Sequence, residues 1–143
     1  KLMNILLIRN PKEVILSYSK KNVIKNTNQL GYPGQTKLLN TLIENKGRPP
    51  IIIDAQDILN NPKRILKLLC IKLDISFLDE MLSWKAGKRK ADGIWGKHWY
   101  SNVETSTGFM SYTKNNTSIP LKYKIFYEEC MEHYQHLYKQ RMR

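Results

Sequence analysis

Two short apolar runs constrain the fold of this chain more than any other feature. The first run is Asn4–Ile8, and the second is the three isoleucines at 51–53, closed by Asp54. Short, continuous apolar runs are typical of strands that are covered on both faces in a parallel sheet. Amphipathic helical patterns follow both runs. The order strand, helix, helix, strand, helix predicts an α/β fold with a parallel sheet and flanking helices.

Capping residues and hydrophobic periodicity predict the helices. Asn10 is a good N-cap, and Pro11 suits the first position of the helix that follows. The segment Gly31-Tyr32-Pro33-Gly34 has the composition of a loop. Pro120 marks the start of the last helix, which follows the 3.6-residue period closely. Helices are predicted at residues 11–22, 36–46, 62–73 and 121–139, with a short helical segment at 77–84 and a long ordered loop at 85–109.

Length and composition bound the function. A chain of 143 residues allows one domain, and 41% hydrophobic residues suffice for a packed core. No apolar run approaches the roughly 20 residues of a membrane helix, so no membrane partner is expected. Cys70 and Cys130 form no disulfide framework, so a reduced, cytoplasmic chain is the default expectation. The net charge of +12 reflects either a composition rich in Lys, Asn and Ile or the handling of anions. It keeps open a nucleic-acid-binding module that contacts phosphates.

The position of the first strand suggests that sequence precedes it. A central strand rarely opens a domain, and here the run begins at Asn4, with no signal peptide pattern ahead of it. We therefore expect an N-terminally truncated chain, the later part of a longer protein.

Arg9 and Ser17 are the first candidate binding residues. Ligands of open parallel sheets bind beyond the carboxyl ends of the strands, where Arg9 and Asp54 are expected. A guanidinium there can grip a phosphate with two parallel hydrogen bonds, beside the positive end of the following helix. Ser17 shares a helix face with Asn10 and Glu13. The alternative is that Arg9 pairs with a nearby carboxylate and Ser17 lies on a helix surface.

Residues 6–18, Leu-Leu-Ile-Arg-Asn-Pro-Lys-Glu-Val-Ile-Leu-Ser-Tyr, resemble the signature of the sulfotransferase family. These enzymes use 3′-phosphoadenosine 5′-phosphosulfate (PAPS) and have a P-loop-type parallel sheet. In the family, an Arg at the strand end and a Ser eight residues later bind the 3′-phosphate of the cofactor. The resemblance thus implies that Arg9 and Ser17 bind PAPS.

Two later stretches carry the same resemblance. Residues 55–59 and the helix after them resemble the family's Glu-Asp-Leu segment, with Gln56 where an acid is common. Residues 81–109 resemble a bacterial-type sulfotransferase-like branch, which has relatives fused to aminotransferase-like domains. They also correspond, one residue short, to the loop that closes over PAPS. This correspondence implies that Lys88, Arg89, Lys90 and Gly93 contact the cofactor. Three tryptophans in the same stretch either stack on adenine or anchor the loop.

The chain contains no glycine-rich phosphate loop followed by Lys and Ser or Thr. We therefore expect it to carry the 3′-phosphate half of a PAPS site, as the C-terminal portion (1–143) of a single sulfotransferase-like domain. Alone it should have little activity, while the whole protein transfers a sulfuryl group to a hydroxyl or amine of a small-molecule or carbohydrate acceptor. The resemblance disfavours nucleic acid as a partner. A nucleic-acid-binding module and a degenerate sulfotransferase-like scaffold remain the alternatives.

Overall fold

A computed structural model of the chain describes residues 3–46, 49–89, 93 and 101–143. Within these residues the fold is mixed α/β, as predicted, with two strands and six α-helices. In chain order they are β1 (Ile5–Ile8), α1 (Pro11–Tyr18), α2 (Tyr32–Lys46), β2 (Ile51–Asp54), α3 (Ala55–Asn60), α4 (Pro62–Leu73), α5 (Ser101–Thr105) and α6 (Lys124–Lys139). Short 3₁₀ turns lie at Thr27–Leu30, Asp79–Leu82 and Leu121–Tyr123. The chain divides into two compact units, Lys1–Gln56 with Thr113–Arg143, and Asp57–Tyr112.

The first unit is built on the two strands. β1 and β2 are parallel, and their register pairs Ile5 with Ile51 and Ile8 with Asp54, which confirms the predicted parallel sheet. The Met142 amide donates to the Ile52 carbonyl at 2.7 Å and brings the end of the chain against β2. The core joins the sheet to α2 and α6, and its buried residues are Leu6, Ile8, Tyr32, Leu39, Ile52, Cys130, Tyr134 and Leu137.

β1 is buried on one face only. Leu6 and Ile8 are buried, whereas Ile5 is 42% and Leu7 is 56% exposed. The expectation that this strand is covered on both faces is therefore wrong for the described residues. Its uniformly apolar sequence was the basis of that expectation, and the sequence does not show which face has a covering element.

One helix has the predicted limits, and α1 and α2 each differ from prediction at one end. α4 has the predicted limits, because Asn61 caps it through a bond from the Arg64 amide and Pro62 takes the first position. α1 ends at Tyr18, four residues before the predicted end. α2 begins at Tyr32 and so includes Pro33 and Gly34, which were predicted to be loop. Proline is tolerated there because the first turn of a helix has no partner for its amide.

In the second unit, hydrogen bonds join residues 83–84 to residues 107–108 and close the loop between them. Ser83 and Gly108 form an antiparallel bridge, and the Trp84 amide donates to the Thr107 carbonyl at 3.0 Å. The Trp84 indole N–H donates to Ser106 Oγ at 3.0 Å, and its ring meets Phe109 edge-on at 5.4 Å. Trp84 is therefore an anchor of this loop. Trp95 and Trp99 lie outside the described residues.

Helices long and apolar enough to cross a membrane are absent from the part of the chain that the structure describes.

Candidate functional site

Arg9 leaves the carboxyl end of β1 immediately before α1. Its Nε donates to Glu13 Oε2 at 2.8 Å, in an ion pair whose arginine side chain is 53% exposed and whose glutamate is 12% exposed. Asn10 caps α1 by accepting a hydrogen bond from the Lys12 amide at 3.0 Å. Asn10 satisfies the first turn of the helix, because its carbonyl also accepts from the Glu13 and Val14 amides and Pro11 has no N–H group.

Ser17 lies on the exposed surface of α1, one turn after Glu13. Glu13 and Ser17 are four residues apart in α1 and lie on one side of the helix, whereas Arg9 precedes the helix. The structure therefore shows both parts of the alternative expectation, since Arg9 pairs with a carboxylate and Ser17 is on a helix surface. The pairing occupies only Nε of Arg9, and its two Nη groups have no partner among the described residues. The guanidinium keeps donors for an anion.

Two side chains from the start of α2 hold the end of β1. The Tyr32 hydroxyl donates to the Arg9 carbonyl at 2.7 Å. Gln35 Nε2 donates to the Leu7 carbonyl at 3.0 Å. Burial is the main cause that raises the pKa of Tyr32 well above its usual value, so its hydroxyl stays protonated and remains a donor. These contacts were not foreseen, because the Tyr32 segment was predicted to be a loop and lies 23 residues from Arg9.

Asp54 ends β2 beside Ile8, so the strand register places it at the expected edge of the sheet. Its side chain is buried and accepts hydrogen bonds from two groups. Oδ1 accepts from the Gln56 amide at 2.7 Å, and Oδ2 accepts from the Tyr134 hydroxyl at 2.8 Å. Asp54 therefore ties the sheet edge to α6.

The candidate cofactor loop lies in the second unit. Lys88 and Arg89 are exposed, and Arg89 Nη2 donates to the Lys85 carbonyl at 3.4 Å. Gly93 has a φ of +63°, a left-handed conformation that favours glycine. Lys90 lies outside the described residues.

The two described histidines, His133 and His136, lie on α6. His133 Nδ1 lies 3.0 Å from Thr36 Oγ1, and His136 is exposed beside Gln140. No group of three His, Cys, Asp or Glu side chains that could hold a metal ion occurs among the residues described.

A comparison with known families assigns the chain to a family. The family described as "Sulfotransferase domain" matches residues 2–135. The chain belongs to this sulfotransferase domain family. The match confirms the resemblance found in residues 6–18 and spans all six predicted cofactor residues.

Two curated proteins of Arabidopsis thaliana are similar to this sulfotransferase-family chain. They are "Branched-chain-amino-acid aminotransferase-like protein 2" and "Branched-chain-amino-acid aminotransferase-like protein 1", each 35% identical over 129 residues. These residues are 90% of this chain and 23% of each relative. The chain thus spans about a quarter of the length of these relatives. No solved structure matches the chain.

Proposed function

We propose that this chain supplies the 3′-phosphate half of a PAPS site in a sulfotransferase. The observation that carries the proposal is the placement of Arg9 between the carboxyl end of β1 and α1, in a member of the sulfotransferase domain family. The whole protein transfers the sulfuryl group of PAPS to a hydroxyl or amine of a small-molecule or carbohydrate acceptor. Bound PAPS would supply the sulfuryl group, and the acceptor oxygen or nitrogen would replace the phosphate oxygen on sulfur. 3′,5′-Adenosine bisphosphate would leave, and the acceptor proton would pass to solvent.

The chemistry of Arg9 and Ser17 suits a phosphate monoester. The two Nη groups of Arg9 donate to two phosphate oxygens, and the ionised partners make these bonds stronger than neutral ones. The Ser17 hydroxyl is exposed on α1 and contributes one further donor. Glu13 offsets positive charge of Arg9 but contacts only its Nε, so the two Nη groups remain as donors.

Lys88, Arg89, Lys90 and Gly93 are part of the same proposal. The family resemblance assigns them to the loop that closes over PAPS, and the exposed side chains of Lys88 and Arg89 are accessible to an anion. A lysine or arginine provides charge, while Gly93 in a left-handed turn lets the backbone approach the ligand.

The 5′-phosphosulfate requires a phosphate-cradling loop, and the 143 residues contain no glycine-rich loop with the following Lys and Ser or Thr. We therefore propose that residues 1–143 are the C-terminal portion of one sulfotransferase-like domain and have little activity by themselves. The exposed apolar side chains of Ile5 and Leu7 support this view, since a parallel strand is ordinarily covered on both faces. Two buried cysteines without a disulfide suit a cytoplasmic protein.

Calorimetric titration with 3′,5′-adenosine bisphosphate tests the binding proposal. The full gene product should bind this product-like nucleotide, and Arg9→Ala should weaken binding by about tenfold to a hundredfold, because each charge-assisted hydrogen bond contributes about 1.5–3 kcal/mol. Ser17→Ala should weaken it less, since a neutral donor is lost. Equal affinity of the wild type and Arg9→Ala would remove Arg9 from the site.

A second candidate is a non-catalytic sulfotransferase-like domain within a longer polypeptide. The curated relatives favour it, because this chain matches a quarter of proteins named aminotransferase-like. The full gene product would then transfer no sulfuryl group from PAPS to any acceptor tested, even if its sequence contains a phosphate loop outside residues 1–143. Salt-steep binding to generic nucleic acid that is insensitive to Ser17→Ala would instead identify a nucleic-acid-binding module.

A further inference from the structure

Arg9 is held at two points, one on its side chain and one on its main chain. Glu13 accepts from the guanidinium Nε at 2.8 Å, and the Tyr32 hydroxyl donates to the Arg9 carbonyl at 2.7 Å. We propose that Glu13 and Tyr32 are positioning residues that fix the Arg9 guanidinium for the 3′-phosphate, an inference that rests on the function proposed above. Neither residue belongs to the set that the sequence indicated for the cofactor.

The contact of Glu13 with Arg9 has two opposing consequences for a phosphate. Its negative charge repels the ligand, so electrostatics alone argues against a carboxylate here. Its position on the Nε edge, however, leaves both Nη groups available in the fixed fork geometry of a guanidinium. The side chain of Glu13 is largely buried at 12% exposure, whereas Arg9 is half exposed. A buried acceptor that restrains an exposed, flexible arginine reduces the entropy that Arg9 loses when it binds the anion.

Tyr32 fixes the other end of the same residue. Its ring is buried in the core with Leu39 and Cys130, which makes it a rigid support. Its hydroxyl reaches the carbonyl of Arg9, the residue that directly follows β1 in the turn into α1. The Tyr32 contact therefore sets where the Arg9 side chain starts, and the Glu13 contact sets where its guanidinium lies.

Substitutions at Glu13 separate positioning from simple charge neutralisation. The readout is the ratio of the dissociation constants for 5′-AMP and 3′,5′-adenosine bisphosphate, measured by calorimetry on the full gene product. This ratio isolates the 3′-phosphate contact, because the two nucleotides differ only there. Glu13→Ala should lower the ratio by about tenfold, the loss of one oriented charge-assisted bond. Glu13→Gln keeps an acceptor for Nε and should leave the ratio within about twofold of wild type.

Charge neutralisation predicts the opposite pattern. If Glu13 only competes with the phosphate for Arg9, both variants should raise the ratio, and that result would overturn the proposal. An unchanged ratio in Glu13→Ala would overturn it as well. In an Arg9→Ala background, Glu13→Ala should have no further effect on the ratio, since a positioning residue acts through Arg9.

Tyr32→Phe tests the main-chain contact and needs a control for stability. Thr27→Val is a matched control, because it removes the buried hydroxyl that donates to Glu129 at 2.6 Å in the same unit. Tyr32→Phe should lower the ratio by about threefold to tenfold, as expected for one lost hydrogen bond, and Thr27→Val should leave it unchanged. Equal ratios in the two variants would reduce Tyr32 to a structural residue.

The same data separate this inference from the proposed function. A wild-type ratio of one, or no binding of either nucleotide, contradicts the proposed function itself. A high wild-type ratio that Arg9→Ala abolishes and that both Glu13→Ala and Tyr32→Phe leave intact contradicts only the positioning role.

Discussion

The hydroxyl of Tyr134 should stabilise the first unit through a single bond to Asp54. Tyr134 lies in α6, and its hydroxyl donates to Asp54 Oδ2 at 2.8 Å, with both side chains buried. Tyr134→Phe removes this donor while it retains the ring and its packing. Asp54 keeps the bond from the Gln56 amide to Oδ1, but one oxygen of a buried carboxylate loses a donor that water cannot replace at the same position.

A hydrogen bond to a charged group contributes about 1.5–3 kcal/mol. We expect Tyr134→Phe to lower the free energy of unfolding by this amount and the melting temperature by about 5–10 °C. Urea unfolding followed by far-ultraviolet circular dichroism measures the first quantity. The slope of the free energy against urea should not change, because the surface exposed on unfolding is the same.

Tyr138→Phe is the matched control, one helical turn later on α6. The Tyr138 ring lies 5.3 Å from the Tyr134 ring and 3.5 Å from the Arg141 guanidinium. Phenylalanine preserves both ring contacts, so the loss should stay below about 0.5 kcal/mol. Equal losses in the two variants, or no loss in Tyr134→Phe, would refute the assigned role of the Asp54 bond.

Three other predictions concern stability. Burial is the main cause that raises the pKa of Tyr32 and of Tyr134 in the folded protein. Their contribution to folding stability is therefore fully present below the pKa of tyrosine in the unfolded chain, about 10. The free energy of unfolding should fall as the pH rises above this value, and it should fall less steeply in Tyr134→Phe. A free energy of unfolding that does not change over this pH range would contradict the burial of the two side chains as neutral phenols. Asp74 ends α4 at a φ of +58°, so Asp74→Gly should stabilise the protein by about 0.5–1 kcal/mol in urea unfolding, whereas Asp74→Ala should not. A Cβ at Gly108 would lie 3.1 Å from the Leu82 carbonyl oxygen, so Gly108→Ala should cost about 1 kcal/mol, and a melting temperature equal to wild type would contradict this crowding.

Local signals in the sequence predicted much of the fold. The limits of α4 follow from Asn61 and Pro62, whose cap and ring act within a few residues of the helix start. The parallel pairing of the two strands followed from their apolar runs and the helices between them. The start of α2 was missed because Gly31-Tyr32-Pro33-Gly34 has a turn composition. Here Gly31, at a φ of +83°, ends the preceding 3₁₀ turn, and the helix starts directly after it.

The candidate site was predictable only in part, because its supporting contacts are of two kinds. The Arg9 to Glu13 pair joins residues only four positions apart across the start of α1, so sequence reasoning can reach it. The Tyr32 and Asp54 contacts join residues 23 and 80 positions apart. No periodic pattern in the sequence indicates either contact, because each depends on tertiary packing that brings a core tyrosine to the end of a strand.

The most direct test of the proposed PAPS site is a comparison of two nucleotides on two proteins. Calorimetry gives the dissociation constants of 3′,5′-adenosine bisphosphate and 5′-AMP for the full gene product and its Arg9→Ala variant. We predict that the wild type prefers the bisphosphate by at least about tenfold and that Arg9→Ala abolishes this preference, because charge-assisted bonds from Arg9 hold the 3′-phosphate. Equal affinity of the wild type for the two nucleotides, or a preference that survives Arg9→Ala, would contradict the assignment of the 3′-phosphate to Arg9.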